Sequence, residues 1–189
     1  MRMNEYAVLV PTVKTENGEA LLLEVRSDKV KQPGEICFPG GRVEKGESPA
    51  ETAVRETCEE LGLHPGDIKI SGDPVLEIMG DGRRVWSVWG KIEAGCLDRL
   101  ELSGAEVAGV FLLPLEWLAN NPPALYDLGK TQDRDLPGKL RDYLAGYESF
   151  LKSGSTYYWE YDGHGIWGLT ARIISNRIIN TRINYSADH

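Results

Sequence analysis

Short apolar runs separated by turn residues predict β-strands along the first 115 residues. The runs cover residues 6–10, 20–25, 75–79, 85–92 and 107–113. Asn17-Gly18 separates the first two runs and Gly80-Asp81-Gly82 separates the next two, so each pair is predicted to form a hairpin. Residues 36–38 lead into a Pro39-Gly40-Gly41 loop, and residues 157–161 alternate in polarity as a further strand.

Three segments predict helices between and after these strands. The clearest is residues 48–61, where Ser48 suits the N-cap, Pro49 the first helical position and Gly62 the C-terminal stop. Residues 139–151 and a last amphipathic helix at about 166–183 follow. Interleaved strands and helices predict an α/β (mixed α+β) fold, a mixed sheet covered by helices. At 189 residues the chain is predicted to form a single domain, 1–189.

The helix at 48–61 has two faces of different character. At about 100° per residue, its small and apolar residues fall on one arc, which should face the core: Ala50, Ala53, Val54, Thr57, Cys58 and Leu61. Glu56, Glu59 and Glu60 lie on the opposite side. Three carboxylates on one face repel one another unless a divalent cation lies between them, and Mg²⁺ prefers such oxygen ligands. The alternative is a solvated acidic surface.

The spacing around these glutamates resembles the signature of the Nudix hydrolase family. The fixed positions are Gly41, Glu47, Arg55-Glu56, Glu59-Glu60, Gly62 and Leu63. Thr57 stands where the family usually has an aliphatic residue, and its place in the apolar arc makes it a packing variation. The resemblance implies a mixed sheet sandwiched between helices, with this segment forming a loop, a helix and a loop.

The resemblance also implies a metal site and a cofactor. Glu56, Glu59 and Glu60 match the metal-binding glutamates of the family, and the backbone carbonyl of Gly40 matches a further ligand. The implied cofactor is Mg²⁺ or Mn²⁺.

Further residues take supporting roles by the same resemblance. Arg55 matches the arginine that orients the catalytic glutamates by ion pairing, and Glu47 matches a supporting glutamate. Gly41 matches a position where a side chain would obstruct the phosphate-binding loop. The general base differs between family members, so Glu56 is the first candidate and Glu106, just before the strand at 107–113, is the second.

Regions outside the signature are similar to the coenzyme A pyrophosphatase subgroup. They are Leu22-Leu23 with Arg26, Gly34 with Phe38-Pro39-Gly40-Gly41, and Trp167-Gly168-Leu169-Thr170-Ala171. This similarity implies cleavage of coenzyme A or its thioesters to adenosine 3′,5′-bisphosphate and a 4′-phosphopantetheine. Arg26 is a candidate for binding substrate phosphate, since arginine suits bidentate contact, or it is an exposed strand arginine.

Two other functions remain as alternatives. One is a Nudix pyrophosphatase acting on ADP-ribose, dinucleoside polyphosphates or oxidised nucleotides. The other is a nucleotide-binding regulator without catalysis, which the presence of every signature glutamate disfavours.

Composition limits the partners. The net charge of −8 argues against a nucleic acid, whose partners usually carry a basic surface. No apolar run approaches the ~20 residues that span a bilayer, so we expect no membrane partner and a cytoplasmic location. Three cysteines without CxxC spacing are expected to be reduced. The expected partner is a small nucleoside diphosphate, and a homodimer is a hypothesis that the sequence leaves open.

Overall fold

The computed structural model describes residues 5–145 and 154–187, and side chains as far as residue 177. The chain divides into two compact units, Met1–Glu116 and Trp117–His189. None of the helices in the described ranges combines the length and the apolar character that crossing a bilayer requires.

The first unit is built on a mixed sheet that has eight strands among the described residues. They are β1 (Glu5–Thr15), β2 (Gly18–Arg26), β3 (Ile36–Cys37), β4 (Gly40–Arg42), β5 (Ile68–Ile70), β6 (Val75–Ile78), β7 (Arg84–Ile92) and β8 (Val107–Pro114). The order along the sheet is β3-β2-β1-β7-β5, while β4 pairs with β1, β6 with β7 and β8 with β2. The pairing of β1 with β7 is parallel and the others are antiparallel.

Both predicted hairpins are confirmed. β1 and β2 pair up to Thr15 and Gly18, which leaves Glu16-Asn17 as a two-residue turn. β6 and β7 pair at Ile78 and Arg84. These hairpins follow from local turn chemistry, since the glycines at 18 and 82 have φ of 112° and 82°.

β1 is the central strand of this sheet. Its first part pairs with β4, with Val8 opposite Gly40, and its last part pairs with β2, with Thr12 opposite Leu21. Its other edge pairs with β7 along almost its whole length, from Glu5 to Val13. The pairing with β1 therefore fixes the position of β4 in the sheet.

The predicted helix is confirmed as α1 (Pro49–Leu61). It packs on β1, β4 and β7. The core beneath it contains Ala7, Leu9, Val13, Leu22, Ala53, Leu61 and Val88. Thr57 is fully buried and donates its hydroxyl to the carbonyl of Ala53 at 2.7 Å, so this polar residue is satisfied within the apolar arc.

The second unit contains a separate antiparallel sheet of three strands in its described part. Its elements are β9 (Ala124–Asp127), α3 (Gly138–Leu144), β10 (Ser155–Tyr161), β11 (His164–Trp167) and α4 (Gly168–Ala187), and the short helix α2 (Leu115–Asn120) lies at the boundary of the units. One cluster of its core contains Leu128, Leu136, Leu140, Leu144, Tyr158 and Trp167.

Several boundaries differ from the prediction. Ile166 and Trp167 lie in β11, so the last helix begins at Gly168, because Asp162 and Gly163 turn the chain back with φ of 46° and 72°. The helix predicted at 139–151 is α3, and residues 146–151 of that prediction lie outside the described residues. Gly40-Gly41, predicted as loop, begins β4, because it pairs with β1.

Candidate active site

The ends of α1 are fixed by its own residues. The Ser48 hydroxyl accepts a hydrogen bond from the Glu51 backbone N–H, and the Glu51 carboxylate accepts one from the Ser48 N–H at 2.8 Å. At the other end Gly62, with φ of 68°, donates its N–H to the carbonyl of Cys58. This capping places the four charged residues 55, 56, 59 and 60 on a rigid element.

Arg55 is the hub of an ion-pair network at the start of the site. Its Nε and Nη2 donate to the Glu47 carboxylate at 2.8 and 3.1 Å, and its Nη1 donates to Glu56 Oε1 at 2.9 Å. Nη1 also lies 3.5 Å from Glu59, and Nη2 donates to the carbonyl of Arg42 at 3.2 Å. The guanidinium therefore links β4, the loop before α1 and two of the candidate metal ligands.

Glu47 is an ionised anchor for this network. The hydrogen bond from Arg55 is the main reason that the pKa of Glu47 is lowered to about 2, and the Thr52 hydroxyl donates to the same carboxylate at 2.7 Å. The backbone N–H of Glu44 donates to it as well, at 3.1 Å. With these partners, Glu47 positions Arg55 and is not itself placed to take up a proton.

The glycines of β4 lie against the glutamates of α1. The Gly40 N–H donates to Glu60 Oε2 at 2.8 Å. A Cβ at Gly40 would overlap the backbone of Ala7 and Val8, and a Cβ at Gly41 would overlap the carboxylate of Glu56. Gly40 is therefore required by the packing of the sheet, whereas Gly41 leaves room for the present position of the Glu56 carboxylate.

Glu60 is buried, although it lies on the side of α1 opposite the apolar arc, so the alternative of a solvated surface does not hold for this residue. It is 7% exposed, because β4 covers the side of α1 from which it projects. A helical projection sees only the helix and not the strand that packs on it. Burial is the main cause that raises the pKa of Glu60; the hydrogen bond from Gly40 opposes this, and the charges of Glu56 and Glu106 add to it.

Glu56 and Glu59 differ in exposure. The side chain of Glu56 is 17% exposed, and burial raises its pKa while the hydrogen bond from Arg55 lowers it. The side chain of Glu59 is 61% exposed. The three glutamates therefore range from buried to open along one side of α1.

Glu106 and Arg26 are brought to the same region. Glu106 is exposed just before β8, and its charge raises the pKa of both Glu56 and Glu60. Its carbonyl accepts from the Ser27 N–H at 2.8 Å, next to Arg26. Arg26 donates its Nε to the carbonyl of Lys31 at 2.9 Å, and its charge lowers the pKa of Glu60.

Glu24 is a buried carboxylate that the sequence interpretation did not single out. It lies on β2, is 2% exposed, and feels the charges of Glu60 and Glu106. The sequence signal was a single glutamate inside the run Leu21-Leu22-Leu23-Glu24-Val25, where a buried strand predicts only apolar residues.

The donor set fits a divalent cation. Among the residues whose side chains the structure describes, 5–145 and 154–177, no three His, Cys, Asp or Glu side chains are grouped closely enough to hold an ion. The charge of Glu60 nevertheless raises the pKa of Glu24, and the charge of Glu56 raises the pKa of Glu60. One buried oxygen of Glu24 also has no hydrogen-bond partner. Hard oxygen ligands with excess negative charge are what Mg²⁺ and Mn²⁺ bind.

A groove of about 620 Å³ lies along another flank of α1. Its lining includes the uncharged residues Gly46, Ala50, Val54, Cys58, Pro65 and Ile70 and the charged residues Glu47, Glu51, Arg55 and Glu59. Gly40, Glu56 and Glu60 do not line it, so the groove is separate from the buried carboxylates.

Comparison with known proteins shows which family and which relatives the chain is similar to. The family model of the NUDIX domain matches residues 3–131. The peroxisomal coenzyme A diphosphatase NUDT7 of Mus musculus is 34% identical over 131 residues, which are 68% of this chain and 54% of that protein. NudL of Pectobacterium atrosepticum, an uncharacterised Nudix hydrolase, is 32% identical over 176 residues, 92% of this chain and 80% of that protein. The chain spans about half the length of the mouse relative.

A solved structure shares the fold. The binary complex of an Ap4A hydrolase from C. elegans matches with a TM-score of 0.51 at 22% identity, covering 77% of this chain and 97% of that one. The likeness is one of fold.

Proposed function

Since this chain belongs to the Nudix hydrolase family, we propose that it hydrolyses the diphosphate linkage of coenzyme A or its thioesters. The products would be adenosine 3′,5′-bisphosphate and a 4′-phosphopantetheine. The observation that carries the hydrolysis is the convergence of Glu56 and Glu60 on Gly40-Gly41, with Arg55 holding Glu56. The substrate is supported by the relative named as a coenzyme A diphosphatase.

Glu56, Glu59, Glu60 and the carbonyl of Gly40 would hold the cofactor, Mg²⁺ or Mn²⁺. When bound, the cation neutralises charge on the diphosphate and lowers the pKa of a water molecule. The buried position of Glu60 favours a strong interaction, because little solvent competes with the carboxylate for the cation.

In the proposed reaction, a water molecule cleaves the diphosphate and a carboxylate of the protein acts as the base. A water oxygen attacks one phosphorus, the bond from that phosphorus to the bridging oxygen breaks, and the departing phosphate keeps the electron pair. A carboxylate takes the proton from the attacking water. Glu56 is the first candidate for this base and Glu106 is the second, since Glu56 is held by Arg55 and Glu106 lies exposed near it.

The test is product analysis with the metal-free protein and a panel of diphosphates. Coenzyme A, ADP-ribose, a dinucleoside polyphosphate and an oxidised nucleotide are each incubated with Mg²⁺, with Mn²⁺ and with excess chelator. We expect coenzyme A to have the highest kcat/KM, and activity to disappear with chelator and return with either cation. Full turnover in chelator would contradict the metal site, and preference for another diphosphate would contradict the substrate. Lack of turnover on all of them would favour a nucleotide-binding regulator.

Dephospho-coenzyme A separates the subgroup from other Nudix enzymes. It lacks only the 3′-phosphate, and losing a charged hydrogen bond costs about 1.5–3 kcal/mol. We therefore expect it to be poorer than coenzyme A by about 10- to 100-fold in kcat/KM. If Arg26 binds the 3′-phosphate, Arg26→Ala should narrow the difference in kcat/KM between coenzyme A and dephospho-coenzyme A. If Arg26 binds the diphosphate, Arg26→Ala should lower kcat/KM equally for both substrates. The charge interaction of Arg26 with Glu60 favours the second outcome.

A further inference from the structure

Glu24 is a buried carboxylate that the proposed reaction does not use. It follows three fully buried leucines on β2, and only 2% of its surface is exposed. One oxygen, Oε2, has the thiol of Cys37 on β3 as its donor, at 3.9 Å. The other, Oε1, has no hydrogen-bond partner. A buried carboxylate without a full set of partners costs free energy, so its presence needs an explanation.

The charges around Glu24 make that cost larger. After burial, the charge of Glu60 is the strongest cause that raises the pKa of Glu24, and Glu106 adds to it. Arg26 is the cation that opposes them, but its Nε is bound to the carbonyl of Lys31. Geometry links the two carboxylates as well: the Cys37 thiol donates to Glu24, and the N–H of Gly40, three residues later, donates to Glu60.

Other glutamates of the same unit show what a structural carboxylate looks like. Glu47 has Arg55, Thr52 and a backbone N–H as partners. Glu19, on the same strand as Glu24, pairs with Lys91 at 3.1 Å. Glu24 has neither an ion-pair partner at such a distance nor a donor for Oε1 among the described residues.

We propose that Glu24 is a further residue of the metal site, whose free oxygen binds the divalent cation or a water molecule on that cation, beside Glu60. This rests on the metal dependence proposed above and adds a ligand from β2 to those of α1 and β4. A cation there would satisfy the buried oxygen and offset the excess negative charge with one partner.

The test measures cation affinity without substrate. Mn²⁺ is titrated into metal-free protein, and free Mn²⁺ is followed by its electron paramagnetic resonance signal. Glu24→Gln keeps size and removes charge, and we expect it to raise the Kd for Mn²⁺ by about 10- to 100-fold, as loss of a supporting ligand does. Glu19→Gln makes the same change on the same strand away from the site, and its Kd should equal that of the wild type.

A stability measurement separates this role from packing. The melting temperature of metal-free Glu24→Gln should be equal to or above that of the wild type, because a buried charge is removed. Glu24→Leu, an apolar replacement among leucines, is the second variant and should show the same pair of effects. Wild-type Mn²⁺ affinity in either folded variant overturns the proposal, whatever the substrate, as does a wild type that binds no Mn²⁺. A wild type that binds Mn²⁺ but does not cleave coenzyme A contradicts only the proposed substrate.

Discussion

At the scale of single residues, Arg55 shows how one side chain organises several carboxylates. Its planar guanidinium contacts Glu47 through two nitrogens and Glu56 through the third. A lysine could not match these directions, because its ammonium is a point charge. Glu47 is thus linked to Glu56 through Arg55, and its supporting role in catalysis stays a prediction.

Removing charge from the glutamates is the first prediction at this scale. Glu56→Gln and Glu60→Gln should each lower kcat by on the order of 10²-fold or more, because they hold the cation or accept a proton. The measurement is steady-state hydrolysis of coenzyme A with Mg²⁺. Glu16→Gln, an exposed glutamate in the turn after β1, is the control and should keep wild-type kcat. A Gln variant with wild-type kcat would remove its residue from the site.

The two glycines of β4 give a second, paired prediction. Gly41→Ala places a methyl group on the Glu56 carboxylate, which can swing away, so activity should fall while the melting temperature changes little. Gly40→Ala places it on the backbone of Ala7 and Val8, so the protein itself should be destabilised. Thermal melts and kcat of both variants test this. If Gly41→Ala lost stability and kept kcat, the proposed contact with Glu56 would be wrong.

At the scale of elements, the cap of α1 connects stability to the site. Ser48→Ala removes the hydroxyl that accepts from Glu51, and we expect a loss of about 1 kcal/mol in the free energy of unfolding. Ser48→Asp retains an acceptor and is the matched control, with stability near that of the wild type. Urea unfolding of the metal-free proteins gives both numbers. An equal loss in the two variants would mean that the hydroxyl does not act as a cap.

Elements defined by local chemistry could be predicted from the sequence. α1 follows from Ser48, Pro49 and Gly62, and the first hairpin from Asn17-Gly18. Asp162-Gly163 is an equally local hairpin signal, since both residues have positive φ, and the prediction of helix at Ile166 and Trp167 overlooked it. β4 could not be predicted, since three residues with two glycines carry no strand pattern and pair only because β1 lies beside them.

The candidate site divides in the same way. The family resemblance is confirmed, and it supplied the residues of α1 from their spacing alone. The burial of Glu60 and the position of Glu24 could not be predicted, because both depend on strands that are distant in sequence. Gly40 of β4 covers Glu60, and Cys37 of β3 and Val110 of β8 flank Glu24. The roles of the site residues stay predictions until the variants are measured.

At the scale of the whole molecule, buried carboxylates make stability depend on pH and metal. Burial raises the pKa of Glu24 and Glu60 above the ordinary value near 4.5. In the unfolded chain both groups lose their proton near this ordinary value, whereas in the folded protein they keep it to a higher pH. Their contribution therefore does not destabilise the fold below about pH 4.5, and it lowers the free energy of unfolding increasingly as the pH rises above that value. Glu47 has the opposite sign: its lowered pKa stabilises the protein above about 4.5, and this is lost as the pH falls toward 2.

We therefore predict that, without metal, the melting temperature of the wild type falls relative to that of Glu60→Gln as the pH rises from 5 to 8. Mg²⁺ should remove most of this fall, because the cation is bound by the ionised carboxylates. Melting curves at several pH values, with chelator and with Mg²⁺, are the measurement. Parallel curves for wild type and Glu60→Gln would contradict it.

The single domain over 1–189, the cytoplasmic location and the homodimer also stay predictions.

The central position of β1 has a consequence for the chain during its synthesis. β1 can form its hairpin with β2 as soon as residue 26 leaves the ribosome, because the turn between them is local. Its other edge pairs with β7, whose last partner is Ile92, so this edge stays open while more than sixty further residues are made. An unpaired edge of an apolar strand can form hydrogen bonds with the strands of other chains. We therefore expect nascent chains that stall before β7 to aggregate, and those that reach Ile92 to be protected.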